Sequence, residues 1–285
     1  MPSRPACVAI LLFWVYAAGG LVRRDVLPDF WTTPPPDLRT MAAAEASSGP
    51  TQWDLSVAED PGHRSFRSVG RAVTETIRTP DGGTELISQV YFDSGGLLKG
   101  TPFAPKEDDP TGERLEFDTT CAIDSSGNLG KFQAKVRSAG DPTPLMTLVG
   151  RVRGRAIEVE ARGPIPILNW TRSFPYEPRG LIQNSMGPID RLPGLQVGQR
   201  WETRVVSPLT GRVELVKVEV AGKRAIQWDN NVVTVFEMVT HLSPISARTW
   251  VRRDGLVLRQ EIPFPFVKLI LERLPDRSTP GVQGP

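Results

Sequence analysis

An alternation of apolar and polar side chains runs through most of the chain after Trp53, and it constrains the fold more than any other feature. It is clearest between Leu115 and Ile123, where Glu116 and Asp118 lie between apolar or small side chains. A period of two is that of a half-buried antiparallel β-strand. No stretch of about 12 residues after Trp53 shows the 3.6-residue period of an amphipathic helix. The pattern therefore predicts a mainly β fold.

Turn residues separate the alternating runs. Pro80–Gly83, Ser125–Asn128 and the pair Asp254-Gly255 each divide two predicted strands, and such residues tolerate the positive φ angles of tight hairpins. We expect roughly twelve strands at the spacing typical of all-β proteins, forming a large twisted antiparallel sheet or half-barrel. A change of phase at Leu215-Val216 predicts a β-bulge there.

The strand-rich part of the chain falls into two β blocks, residues 53–162 and 199–274, separated by a Pro- and Gly-rich connection over 163–198. Each block has a Trp near its start, and each has a tight Gly-containing hairpin late on. Two related half-sheets are therefore one interpretation, and one continuous sheet with a long crossover is the other. Residues 275–285 are predicted to be a disordered tail.

The N-terminal segment predicts a membrane or export function. Ala6 to Val22 carries no charge and is flanked by Arg4 and by Arg23-Arg24. Its length is near the lower limit of about 17 residues for a transmembrane helix, and it also satisfies the pattern of a cleavable signal peptide. Residues 1–24 are thus a signal anchor or a signal peptide, and 25–52 are a Pro- and Ala-rich spacer.

This N-terminal pattern predicts a single-pass protein of the inner or cytoplasmic membrane, with its C-terminal domain outside the cytoplasm. The alternative is a secreted or periplasmic protein after signal cleavage. The membrane itself would be a partner through Ala6 to Val22.

Composition argues against several classes of function. The chain has 34 Lys and Arg against 32 Asp and Glu, so it lacks the basic excess that binding to nucleic acid usually requires. It has two Cys and two His, too few for the usual zinc centres or for a disulfide framework. We therefore expect no metal, no cofactor and no nucleic-acid partner.

Catalytic residues are also hard to find. Cys121 lies on the apolar face of a predicted strand, which indicates a core thiol. The order Cys121, His241, Asp254 occurs, but no helical pattern follows Cys121 as a transglutaminase-like nucleophile would need. His63 and His241 are interpreted as surface residues. A pair of carboxylates for hydrolysis stays open, because the chain has 32 acidic residues and no pattern that selects two of them.

Aromatic side chains gather in two Pro-rich segments, Ile165–Tyr176 and Ile262–Leu271. They either line an apolar groove or dock a partner, or they cover one face of the sheet. The predicted ligand-binding residues are Trp170, Phe174, Tyr176, Trp201, Phe264 and Phe266.

Two stretches carry a resemblance to known proteins. Leu195–Trp201, followed by Pro208 and Gly211, and Trp250–Glu261 resemble extracytoplasmic β-rich domains of unknown function from bacteria. Such domains occur alone or beside transglutaminase-like cores, and some resemble the half-barrels of lipoprotein carriers. The resemblance implies a β fold outside the cytoplasm, and it implies no catalytic residue.

Together these features predict a membrane-anchored or exported β-domain that binds or scaffolds in the cell envelope without catalysis. A carrier of an apolar lipid or acyl ligand in a half-barrel groove is the alternative. A carboxylate-dependent envelope hydrolase is the second alternative.

Overall fold

A computed structural model describes residues 49–58, 66–93, 95, 114–176, 188–207, 212–242, 245–263 and 268–275, together with residue 40. Fourteen strands form one sheet in this part of the chain. They are β1 (Thr51–Ala58), β2 (Phe66–Arg78), β3 (Thr84–Asp93), β4 (Arg114–Ile123), β5 (Leu129–Ser138), β6 (Met146–Arg153), β7 (Ala156–Arg162), β8 (Trp170–Pro175), β9 (Arg200–Ser207), β10 (Arg212–Trp228), β11 (Asn231–Leu242), β12 (Ile245–Arg252), β13 (Val257–Pro263) and β14 (Lys268–Arg273).

The first and last strands are neighbours in the middle of the sheet. From β1 the chain winds strand by strand to β8 at one edge, and from β14 the order runs back to β9 at the other edge. Every pairing is antiparallel, including that of β1 with β14, where Trp53 lies opposite Arg273 and Leu55 opposite Leu271. The two β blocks therefore form one continuous sheet.

The alternation seen in the sequence places two kinds of side chain on the two faces. Trp53, Leu55 and Val57 of β1 are almost completely buried, whereas Gln52 is exposed and Asp54 is half-buried. The face that carries Trp53 is called the core face here. Fully burying a large apolar side chain contributes roughly 1.5–3 kcal/mol, so this face supplies most of the stability of the sheet.

Residues 188–199, called the crossing segment here, lie across part of the core face. Leu192 and Leu195 are buried in the same apolar cluster as Trp53. The Leu192 N–H donates to the Gly255 carbonyl at 2.7 Å, and the Val257 N–H donates to the Asp190 carbonyl at 3.0 Å. These backbone bonds fix the segment against the hairpin between β12 and β13.

Three details differ from the expectations drawn from sequence. The described residues form fourteen strands where roughly twelve were expected, and β8 lies inside the connection predicted to separate the two β blocks. The residues Leu215 and Val216 pair regularly with Arg204 and Thr203 of β9. The bulge in β10 falls instead between Val220 and Gly222. No change of phase occurs at Leu215, because this leucine is a surface residue that exposes 53% of its surface.

Several predictions fall outside the described residues. They concern the anchor or signal at 1–24, most of the spacer at 25–52, residues 177–187 of the connection and nearly all of the tail at 275–285. Within the described part of the chain, no helix has both the length and the apolar character needed to cross a bilayer.

Candidate functional site

A row of hydroxyl side chains crosses four strands of the core face. Thr51 of β1 pairs with Thr74 of β2, Thr74 with Ser88 of β3, and Ser88 with Thr119 of β4. Residues directly opposite each other on neighbouring strands share a face. All four expose 9% of their surface or less. We call these four residues the hydroxyl row.

The same cross-strand row becomes apolar on the next four strands. Thr119 pairs with Ala134 of β5, and the row continues through Leu148 of β6 and Ala161 of β7. It ends at Trp170 on the edge strand β8. One line across eight strands therefore passes from hydroxyl groups to hydrocarbon.

A second apolar cluster surrounds the apolar end of this row. Its buried members are Leu129, Leu148, Ile157, Val159, Ala161 and Tyr176, and the side chains packed against them are only partly buried: Cys121, Phe132, Ala134, Met146, Val152, Trp170 and Phe174. The crossing segment belongs to the other cluster, with Trp53. The core face of β4–β8 thus keeps partly exposed hydrocarbon.

The Phe132 ring lies against the next strand at a position where there is no side chain. It pairs with Gly150 of β6, and a Cβ atom added to Gly150 would lie 2.0 Å from the Phe132 ring. Glycine at this position allows the ring to approach the backbone of β6. The ring consequently borders the row that runs from Thr119 to Trp170.

A buried carboxylate occupies the polar end of the row. Asp190 Oδ1 accepts hydrogen bonds from Thr74 Oγ1 at 2.6 Å and from Trp53 Nε1 at 3.1 Å. The Arg273 guanidinium lies 3.8 Å from the same oxygen and donates to Thr51 Oγ1 at 2.9 Å. Burial raises the pKa of Asp190, and the bond from Thr74 and the charge of Arg273 oppose that rise.

Ser88 differs from Thr51 and Thr74 of the same row in its hydrogen bonding. Its Oγ is buried and has no hydrogen-bond partner among the described residues. A buried polar atom without a partner is uncommon in folded proteins, since each one costs roughly 1–3 kcal/mol. Ser88 shares its face with Thr74 on one side and Thr119 on the other.

The predicted ligand-binding residues fall in two places. Trp170 and Phe174 are partly buried in the second apolar cluster. Tyr176 is buried in the same cluster, and its hydroxyl accepts a hydrogen bond from the Leu129 N–H at 2.8 Å. Trp201 is buried in the main cluster, near the other edge of the sheet. Phe264 and Phe266 lie outside the described residues.

The residues weighed for catalysis have structural surroundings. Burial raises the pKa of the Cys121 thiol to about 11, which suppresses the nucleophilic thiolate. His241 is exposed, with Nδ1 3.0 Å from Ser246 Oγ. His63 lies outside the described residues. In the part of the chain that the structure describes, no three His, Cys, Asp or Glu residues come together as a metal site.

Two buried acids are engaged by hydrogen-bond donors or basic side chains. Glu237 exposes 5% of its surface and lies 2.5 Å from the Arg224 guanidinium and 3.8 Å from that of Arg248. Asp190 is held by Thr74, Trp53 and Arg273, as described above.

Sequence reasoning missed both the hydroxyl row and Asp190. Thr and Ser at alternate strand positions look like ordinary β-formers, and only the register of four strands brings them into line. Asp190 lies in the connection between the two blocks, where a single acid carries no pattern. Its neighbours Pro188 and Ile189 gave no indication of a contact with Trp53.

No protein-family model matches the chain, and no curated protein matches it. Among solved structures, a β-barrel-like protein of the domain of unknown function DUF1849 from Brucella abortus is 12% identical. That match covers 79% of this chain and 94% of the other, with a TM-score of 0.49.

Two further structures show weaker similarity. A DUF1089 family protein from Pseudomonas aeruginosa is 17% identical over 68% of this chain and 90% of its own, with a TM-score of 0.33. The hypothetical lipoprotein YmcC from Escherichia coli is 11% identical over 80% and 88%, with a TM-score of 0.29. All three are described as hypothetical or of unknown function. The expected association with transglutaminase-like cores finds no support in them.

Proposed function

We propose that this chain is a non-catalytic binding domain of the cell envelope, and that the core face of β4–β8 is its binding surface. The observation that carries the proposal is the uneven cover of the core face. The half with Trp53 is covered by Leu192 and Leu195 of the crossing segment. The cluster with Trp53 has seventeen buried members and seven partly buried ones, whereas the cluster with Trp170 has seven partly buried members and only six buried ones.

The ligand that suits this surface is a long apolar chain, which favours the carrier of a lipid or acyl ligand over a general scaffold. Phe132, Met146, Trp170 and Phe174 offer aromatic and flexible apolar contacts, and such side chains line most small-molecule sites. Ligand burial would remove their remaining apolar surface from water.

A hydrolytic function has less support. Asp190 and Glu237, the buried acids described above, are each engaged by donors that hold the fold together. Neither is left as a carboxylate ready to take a proton from water. Among the described residues, these two buried acids therefore favour a structural role over that of a carboxylate-dependent hydrolase.

Photolabelling tests the binding proposal. Membranes containing the full chain are incubated with a long-chain acyl probe that carries a diazirine, and the adducts are mapped by mass spectrometry. We expect adducts on β4–β8 of the core face. Trp170→Ala or Phe174→Ala should reduce them roughly tenfold, because each removes a large apolar contact.

Tyr91 provides the matched control. It is an aromatic residue on the opposite face of β3 and exposes 40% of its surface. Tyr91→Ala should leave the labelling unchanged. Equal labelling of both faces, or no adduct on β4–β8, would contradict the proposal.

The envelope location rests on Ala6 to Val22 and has its own test. Protease added to spheroplasts should digest residues 53–274 while a cytoplasmic marker stays intact. Protection of these residues until the membrane is permeabilised would place the domain on the cytoplasmic side and refute this part of the proposal.

A further inference from the structure

We infer that the hydroxyl row is a subsite for the uncharged, hydroxyl- or ester-bearing head of a single-chain amphiphile, whose hydrocarbon tail lies against the partly buried side chains of the second apolar cluster, around the apolar half of the same row. This inference rests on the proposed function and adds the class of ligand and its orientation.

The order of side chains along the row is the first observation that supports an amphiphilic ligand. Four hydroxyl residues on β1–β4 are followed by Ala134, Leu148, Ala161 and Trp170 on β5–β8. An amphiphile has the same order, a hydrogen-bonding head followed by hydrocarbon. A ligand that was apolar throughout would leave the buried hydroxyl of Ser88 unpaired, which costs free energy.

The buried hydroxyl of Ser88 is the second observation that supports a head-group subsite. Its side chain is more than nine-tenths buried, and its Oγ has no partner among the described residues. Thr74 on one side already donates to Asp190. The hydroxyls of Ser88 and Thr119 are thus the members of the row best placed to donate to, or accept from, a ligand.

The length of the apolar half of the row matches the length of one acyl chain. Strands are about 4.8 Å apart, so the three steps from Ala134 on β5 to Trp170 on β8 span roughly 14 Å. Half of the hydrocarbon core of a bilayer, the depth filled by one acyl chain, is about 15 Å.

The charges near the row select an uncharged head. Asp190 and Arg273 lie beside its first two members and face each other, while Ser88 and Thr119 are neutral. A carboxylate or phosphate head would have to lose its hydration beside Asp190 and Arg273, whose charges already compensate each other, at high cost. A glycerol ester or an alcohol would lose less and could both donate and accept hydrogen bonds.

Three photoprobes with the same diazirine-bearing chain test the inference on the full chain in membranes. One ends in a glycerol ester, one in a carboxylate and one in a methyl group. We expect the glycerol ester to label β4–β8 most strongly. The double variant Ser88→Ala/Thr119→Val should reduce its labelling roughly three- to tenfold, as for the loss of hydrogen bonds to neutral groups, and leave the methyl-ended probe unaffected.

Thr120→Val is the matched control, because Thr120 is next to Thr119 but pairs with Ile87 and Gln133 on the opposite face. Thr120→Val should leave the labelling by all three photoprobes unchanged. Folding of the double variant is checked by its urea unfolding curve; removal of the unpartnered Ser88 hydroxyl should not lower stability.

The outcomes separate the two proposals. Equal labelling by all three probes, or an unchanged glycerol-ester signal in the double variant, would overturn the head-group subsite and leave the apolar surface standing. Strongest labelling by the carboxylate probe would also overturn it. Absence of adducts on β4–β8 with every probe would refute the proposed function itself.

Discussion

The carboxylate of Asp190 accepts a hydrogen bond from the indole N–H of Trp53, a residue 137 positions earlier in the chain. Trp53 lies on β1, which pairs with the last strand of the sheet, and it is completely buried. Asp190 belongs to the crossing segment. This bond therefore fixes the connection between the two blocks to the middle of the sheet.

Replacement of Asp190 should destabilise the fold. Asp190→Ala removes the acceptor for Thr74 and Trp53 and leaves Arg273 without its nearby carboxylate, so we expect a loss of about 1–3 kcal/mol in the free energy of unfolding. Urea unfolding followed by tryptophan fluorescence measures it. The control Glu75→Ala, at the position next to Thr74, should stay within about 0.5 kcal/mol. Equal effects of the two variants would show that the bond contributes nothing.

Asp190 should also give the stability a pH dependence. Its pKa is raised above 3.8 in the folded state by burial, so the folded state binds more protons between the two values. The contribution of Asp190 to stability is therefore full below pH 3.8 and weakens as the pH rises through the folded pKa. The free energy of unfolding of the native chain, minus that of Asp190→Asn, should therefore decrease as the pH rises from below 3.8 through the folded pKa. A difference independent of pH would contradict the raised pKa.

Two glycines with positive φ should respond differently to alanine. Gly255 has φ 86°, and an added Cβ would lie 2.8 Å from the Pro193 Cα in the crossing segment. Gly154 has φ 63° with open space around it. Gly154→Ala should cost about 1 kcal/mol from backbone strain alone. Gly255→Ala should cost clearly more in urea unfolding, and a smaller cost would show that the hairpin does not touch the crossing segment.

Phe132 and Gly150 should be energetically coupled. Gly150→Ala places a methyl group against the Phe132 ring and should cost roughly 1–3 kcal/mol through overpacking. In a Phe132→Ala background the same change should cost much less, since the ring is gone. A double-mutant cycle measures the coupling, and additive effects would rule out the contact.

Cys121 should resist alkylation. With its pKa raised to about 11, roughly a thousandth of the thiol is ionised at about pH 8. In a Cys7→Ser chain, iodoacetamide should modify the native protein at least tenfold more slowly than the urea-unfolded protein. Similar rates would mean that the thiol is accessible and not part of the core.

Individual strands were largely predictable from the sequence. Alternation located β4, β5, β7 and β13, and the Gly-containing turns located the hairpins at Pro80–Gly83, Ser125–Asn128 and Asp254-Gly255. The edge strand β8 was missed because Pro and Gly surround it. Leu215 led to a misplaced bulge, because one exposed leucine has the same local pattern as a change of face.

The candidate site was less predictable. Trp170 and Phe174 were selected as aromatic residues in a Pro-rich segment, and they lie together in the second apolar cluster. Tyr176 belongs to the same Pro-rich segment and Trp201 lies near the start of the second β block, and both are buried. Composition and local pattern cannot separate a core aromatic from a partly exposed one, because exposure depends on what packs against the side chain.

Alternation is a local property of an extended backbone, so the sequence by itself determined that the chain forms antiparallel strands and which side chains of one strand share a face. Which strands pair, and in what register, depends on contacts between distant residues. Only the tertiary structure therefore decided that β1 meets β14, that Asp190 reaches Trp53, and that Thr51, Thr74, Ser88 and Thr119 form one row leading to Trp170.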